Sequence, residues 1–90
     1  MKVYHKRVQF RGHVQGVGFR YQTLDVARGF DVAGFVRNED DGSVTLEVEG
    51  ELKEVHEFID AVVDELRSYI RESDESSEHR EPIFQGFRIA

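Results

Sequence analysis

Cysteine is absent from this 90-residue chain, which excludes disulfide staples, thiolate metal sites, iron–sulfur clusters and cysteine nucleophiles together. Proline occurs once and tryptophan not at all. No apolar run approaches the ~18–20 residues that a membrane-spanning helix needs. The start, Met1-Lys2-Val3-Tyr4-His5, is followed by charge rather than by an apolar segment with a small-residue cleavage site. A cytoplasmic location with no membrane partner is the expectation. Basic charge is scarce: 12 Lys plus Arg face 18 Asp plus Glu, for a net charge of -6. That balance repels polyanions and argues against a nucleic-acid partner. A chain this short holds one core and little else, so residues 1–90 are expected to form a single domain, active as a monomer.

The charge that is present is unevenly placed. Residues 1–30 carry six bases (Lys2, Lys6, Arg7, Arg11, Arg20 and Arg28) against Asp25, a net of +5, whereas the remainder carries six bases against 17 acids, a net of -11. An anion site is therefore expected in the first third, where local charge opposes the global field. Nine arginines against three lysines, together with the acid excess, are reminiscent of salt-adapted proteins.

Hydrophobic spacing lays out the elements. From Val3 to Arg11, Tyr4, Val8 and Phe10 alternate with His5, Arg7, Gln9 and Arg11, as in a half-buried strand, Lys6 being the misfit. Three glycines between Gly12 and Gly18 make a loop. Arg20 to Arg28 reads as a short helix on Leu24, Ala27 and Val26, ended by Gly29-Phe30-Asp31. Val32–Arg37 and Val44–Val48 flank the turn cluster Asn38-Glu39-Asp40-Asp41-Gly42 as a β-hairpin. Leu52, Val55, Phe58, Ile59, Val62, Val63 and Leu66 then fall on one helical stripe. The polar run Arg71–Glu81 reads either as a solvated edge strand or as a mobile loop, and Gly86-Phe87-Arg88-Ile89 as a short last strand. Strand, helix, strand, strand, helix, strand is the order of an α+β, ferredoxin-like βαββαβ sandwich, with both helices on one face of an antiparallel sheet. A right-handed crossover makes the first two strands parallel. The glycine loop and the turn at Asn38 then share one edge of the sheet, and Arg20 and Asn38 can face a common site.

The loop Gly12-His13-Val14-Gln15-Gly16-Val17-Gly18-Phe19-Arg20 suits an anion. Glycines let successive N–H groups turn inward, the following helix N-terminus adds partial positive charge, and the arginine fork matches two phosphate oxygens. The Lys-Ser/Thr of a nucleotide-binding P-loop is missing, as is the Gly-x-Gly-x-x-Gly spacing of a dinucleotide fold. A tight turn beside a surface arginine would read the same way. The histidines His5, His56 and His79 lack metal-ligand spacing, and the acids near Asp74–Glu78 lack calcium-loop order, so no metal is expected. Tyr4, Phe10 and Tyr21 could belong to an RNA-binding sheet, but the acidic charge and the missing RNA-binding motif favour packing.

Gly12–Arg20 resembles the signature G-x-V-Q-G-V-x-F-R of the acylphosphatase family at every specified position. Gly34-Phe35-Val36-Arg37-Asn38 followed by Asp41-Gly42-Ser43-Val44 resembles its second block, and Gly86–Ile89 its closing segment, so the likeness covers nearly the whole chain. The resemblance implies hydrolysis of acyl phosphates to a carboxylate and inorganic phosphate, without metal or other cofactor. By similarity, Arg20 and the loop residues Gln15, Gly16, Val17, Gly18 and Phe19 would bind the phosphoryl group, and Asn38 would hold the attacking water. His13 stands at a variable position of the motif. The residue types agree with this chemistry. Neither block offers an obvious nucleophile or a paired carboxylate for acid–base work, and a leaving carboxylate needs no general acid. Two features depart from the family pattern: Asp31 stands where glycine is usual, and Leu66-Arg67-Ser68-Tyr69 lacks the usual Gly-Pro. A similar domain begins larger hydrogenase-maturation carbamoyltransferases. A carbamoyl-phosphate-handling unit and a non-catalytic anion-binding module are therefore the alternatives.

Overall fold

The computed structural model describes residues 1–90. Along the chain run β1 (Val3–Gly12), α1 (Phe19–Ala27), β2 (Val32–Asn38), β3 (Val44–Gly50), α2 (Leu52–Leu66), a 3-10 turn (Arg67–Tyr69), β4 (Ile70–Arg80) and β5 (Phe87–Ile89). The strands lie in the order β4-β1-β3-β2-β5. β3 pairs antiparallel with both β1 and β2, so β1 and β2 run parallel on either side of it and deliver their C-terminal ends to one edge.

The ferredoxin-like arrangement is the expected one, with two refinements. The strand that completes βαββαβ is Ile70–Arg80, the polar run, which pairs antiparallel with β1. Residues 87–89 add a fifth strand parallel to β2, so the sheet is mixed rather than wholly antiparallel. Burial cannot announce β4, since Arg71 to His79 are all exposed. Its backbone pairing and cross-strand charges hold it, among them Lys6 Nζ to Glu75 at 2.6 Å and Arg11 Nε to Asp74 at 3.6 Å. The same charges discourage pairing of this free edge with other chains.

One face of the sheet meets both helices. Val8, Phe10, Val36, Val44, Leu46 and Val48 from the strands join Phe19 and Ala27 of α1 and Val55, Phe58, Ile59, Val62 and Leu66 of α2 in a single core. Each fully buried aliphatic or aromatic side chain here stabilises the fold by ~1.5–3 kcal/mol relative to exposure. α2 buries Val55, Phe58, Ile59, Val62 and Leu66 of the stripe its spacing predicts, with Val63 half-buried and Leu52 exposed. α1 departs from its predicted stripe: Thr23, not Leu24, is its fully buried mid-helix residue, and its hydroxyl donates to the Phe19 carbonyl at 2.9 Å. That bond satisfies the hydroxyl inside the helix, which lets a polar residue occupy a core position.

The opposite face is polar yet partly covered. His5, placed outward by simple alternation, is only 5% exposed, because residues 81–86 cross over it. Buried Glu49 anchors that strap, its carboxylate accepting the N–H groups of Ile83 at 2.9 Å and Phe84 at 3.0 Å. Phe84 stacks on His5 with centroids 6.0 Å apart. Asp31 has no left-handed backbone, so no strain attends the missing glycine; its N–H donates to Glu54 Oε1 at 2.8 Å. The 3-10 turn Arg67–Tyr69 makes the bend for which Gly-Pro is absent.

Candidate active site

The loop between β1 and α1 is fixed at several points. At its start the His13 N–H donates to the Tyr69 carbonyl at 2.9 Å, and Val14 is fully buried. At its end Phe19 is buried against Phe10, with ring centroids 5.3 Å apart. Between these anchors Gly16 and Gly18 each have φ of 78°, a left-handed conformation that other residues resist. A Cβ at Gly16 would touch nothing within 4 Å, so backbone conformation rather than space requires glycine there.

Gly18 is the N-cap of α1, and it offers no side chain to the first-turn N–H groups. No acidic residue stands in that turn either. Free N–H donors and the positive end of the helix dipole are thus left for an external anion. Arg20, in the first turn, forms no ion pair, unlike Lys6, Arg7, Arg11 and Arg28 of the same basic segment. Lys6, Arg7 and Arg11 meet acids from the rest of the chain and Arg28 meets Asp25 within the segment, whereas Arg20 keeps an uncommitted guanidinium at the glycine loop. Arg11 and Arg37 are taken by Asp41 at 3.4 Å and Glu39 at 3.0 Å.

Arg20 and Asn38 meet. Together with Val14, Gly16, Gly18, Phe19 and Tyr21 they line a cavity of about 120 Å³. The amide oxygen of Asn38 is itself buried and has no hydrogen-bond partner in the protein, a state that costs free energy until a donor reaches it. Gln15 and Val17 do not line the cavity, and neither does His13, which is exposed.

Gln15 has a different task from its neighbours. Its Nε2 donates to the carbonyl oxygens of Glu39 at 2.8 Å and Ser43 at 2.9 Å, which lashes the loop to the turn that follows Asn38. The turn is braced further. The Glu39 carboxylate accepts from Thr45 Oγ1 at 2.6 Å and from Arg37 Nε and Nη2 at 3.2 and 3.0 Å. Asp41 accepts the Ser43 N–H at 2.9 Å and the Ser43 hydroxyl at 2.5 Å. The Thr45 and Arg37 bonds hold the Glu39 carboxyl below its ordinary pKa, and the Ser43 bonds do the same for Asp41. Sequence reasoning missed Gln15 as a clamp and Glu39 as a brace; only the hairpin register, which sets Arg37 opposite Thr45, brings these partners together.

A larger groove of about 750 Å³ lies between α2 and the β1–β4 edge, but its two bases, Lys6 and Arg67, are paired with Glu75 and Asp64, and Asp60 leaves it with no free cation for a phosphoryl group. No group of three or more His, Asp or Glu side chains converges to hold a metal ion. The fold and the smaller cavity define a ferredoxin-like α+β domain whose glycine loop, helix N-terminus and free arginine suit a tetrahedral oxyanion. A family model described as Acylphosphatase matches residues 6–89, and the chain belongs to that family. It is 46% identical over 87 residues to an acylphosphatase of Salinibacter ruber, a match covering 93% of this chain and 92% of that protein. An acylphosphatase of Oceanobacillus iheyensis is 52% identical over 58 residues, 64% of each protein. Among solved structures, the acylphosphatase from Bacillus subtilis superposes with a TM-score of 0.76 at 32% identity, over 97% of this chain and 98% of that one.

Proposed function

We propose that the chain hydrolyses acyl phosphates to a carboxylate and inorganic phosphate, by attack of water at phosphorus and without a metal. The observation that carries this reading is that one small cavity is lined both by an arginine without an ion pair and by an asparagine whose amide oxygen has no partner. Arg20 and the N–H groups of the loop residues that line the cavity, Gly16, Gly18 and Phe19, hold the phosphoryl oxygens. They gather the charge that builds there as the anhydride bond breaks. The Asn38 amide oxygen accepts a hydrogen bond from the water and turns its lone pair toward phosphorus. Positioning of this kind replaces the entropic cost of a bimolecular encounter.

No Asp, Glu, His or Lys lines the cavity to protonate a leaving group. An acyl phosphate does not need one, because the departing carboxylate is a weak base. A phosphate monoester expels a far more basic alkoxide and is a poor substrate for such a site. The family relationship and the similarity to the Bacillus subtilis enzyme support the same reaction class. The test is release of phosphate from benzoyl phosphate by the purified protein in EDTA, with inorganic phosphate as a competitive inhibitor. Phosphate binding without turnover would instead identify an anion-binding module.

A further inference from the structure

With the phosphoryl group held by Arg20 and the loop N–H groups, the acyl group of a bound substrate extends toward the mouth of the cavity, which is open to solvent. Of the seven lining residues, Val14 and Phe19 are buried, Arg20 and Asn38 are half-buried, and Gly16, Gly18 and Tyr21 are exposed. The two glycines have no side chains, and the space beside Gly16 is open. Tyr21 thus presents the one exposed side chain at the mouth, at 69% exposure.

The fold makes no visible use of that ring. Tyr21 belongs neither to the core nor to the side chains packed on it, and it joins none of the aromatic pairs. Its position in α1 explains why. Phe19, Thr23 and Ala27 form the buried stripe, which leaves Tyr21, two residues past Phe19, on the far side of the helix. Side chains of a helix lean toward its N-terminus, and here that lean is toward the loop and the cavity mouth.

Resting on the acyl-phosphate reading above, we infer that Tyr21 is a specificity-determining residue whose ring receives the acyl group, favouring flat aromatic acyl phosphates over small aliphatic ones. An uncharged aromatic face is suited to this position. It offers stacking to an aryl ring and presents no negative charge to the carboxylate forming beside it.

The test compares kcat/KM for benzoyl phosphate with that for acetyl phosphate in the parent protein, Tyr21→Ala and Tyr21→Phe. Intrinsic reactivity differences cancel when the ratio is compared between variants. The expected result is a fall of roughly two- to tenfold in the benzoyl-to-acetyl ratio in Tyr21→Ala, expressed mainly in the benzoyl KM, with the ratio restored in Tyr21→Phe. A ratio unchanged in Tyr21→Ala would overturn the assignment, whether the two rates stay level or fall together. Failure of the parent protein to hydrolyse either compound would instead overturn the hydrolase reading beneath it.

Discussion

The Nε2 of Gln15 donates to the carbonyl oxygen of Glu39 at 2.8 Å, a bond spanning 24 residues that joins the glycine loop to the turn beginning at Asn38. Arg20 and Asn38 come from these two segments, so the Gln15 bonds help fix their spacing. Gln15→Ala deletes both carbonyl contacts and is expected to destabilise the protein by about 1–3 kcal/mol. It should also lower kcat by at least about tenfold, since small misplacements of positioned groups are costly. Gln15→Glu should be worse on both counts, because a carboxylate would face two carbonyl oxygens. Denaturant melts and steady-state kinetics of the two variants check this, and wild-type kcat in Gln15→Ala would contradict it.

Arg20→Lys keeps the charge but loses the planar fork. The inhibition constant for phosphate is expected to rise, and kcat/KM to fall by on the order of a hundredfold or more. Inhibition by phosphate as tight as in the parent protein would remove Arg20 from the phosphoryl site.

Asn38→Ala should separate function from stability. Loss of the water's anchor is expected to reduce kcat by on the order of 10²–10³, while phosphate inhibition largely persists. The amide oxygen has no partner in the folded protein, so its removal should leave the melting temperature level or raised. A large drop in melting temperature would mark Asn38 as structural instead.

His5 sets a pH dependence of stability. Its pKa lies below the ordinary 6.5, first through burial and then through the Arg80 guanidinium, with Glu47, Glu49 and Glu78 opposing. The unfolded chain therefore binds a proton at this residue more readily than the folded one does. Stability from neutral His5 is full above 6.5 and is lost as the pH falls through that value toward the folded pKa. Melting temperatures measured across this range should decline with acidification, and the part due to His5 should vanish in His5→Gln. An equally steep decline in His5→Gln would assign it to other groups.

The parts of the fold that bury a regular stripe are legible in the sequence. α2 spans Leu52–Leu66 as its apolar spacing requires, and the loop–arginine–asparagine geometry follows from strand order alone. β4 is not legible, because an edge strand held by main-chain pairing and charge has no apolar signature. The burial of His5 and Glu49 is equally hidden. It depends on the strap at 81–86, which lies over 30 residues away along the chain from Glu49. Thr23 escapes notice because a hydroxyl bonded within its own helix packs as an apolar group would. Of the site, Arg20, Asn38 and the glycines could be named from the motif. The bracing by Gln15, Glu39 and Thr45 depends on which residues the hairpin sets opposite one another.

The most direct test of the central claim is hydrolysis of benzoyl phosphate in EDTA, in water labelled with heavy oxygen. Attack at phosphorus by a water held on Asn38 predicts turnover with the label found in inorganic phosphate. Label recovered in benzoate, or no turnover in the chelator, would contradict it.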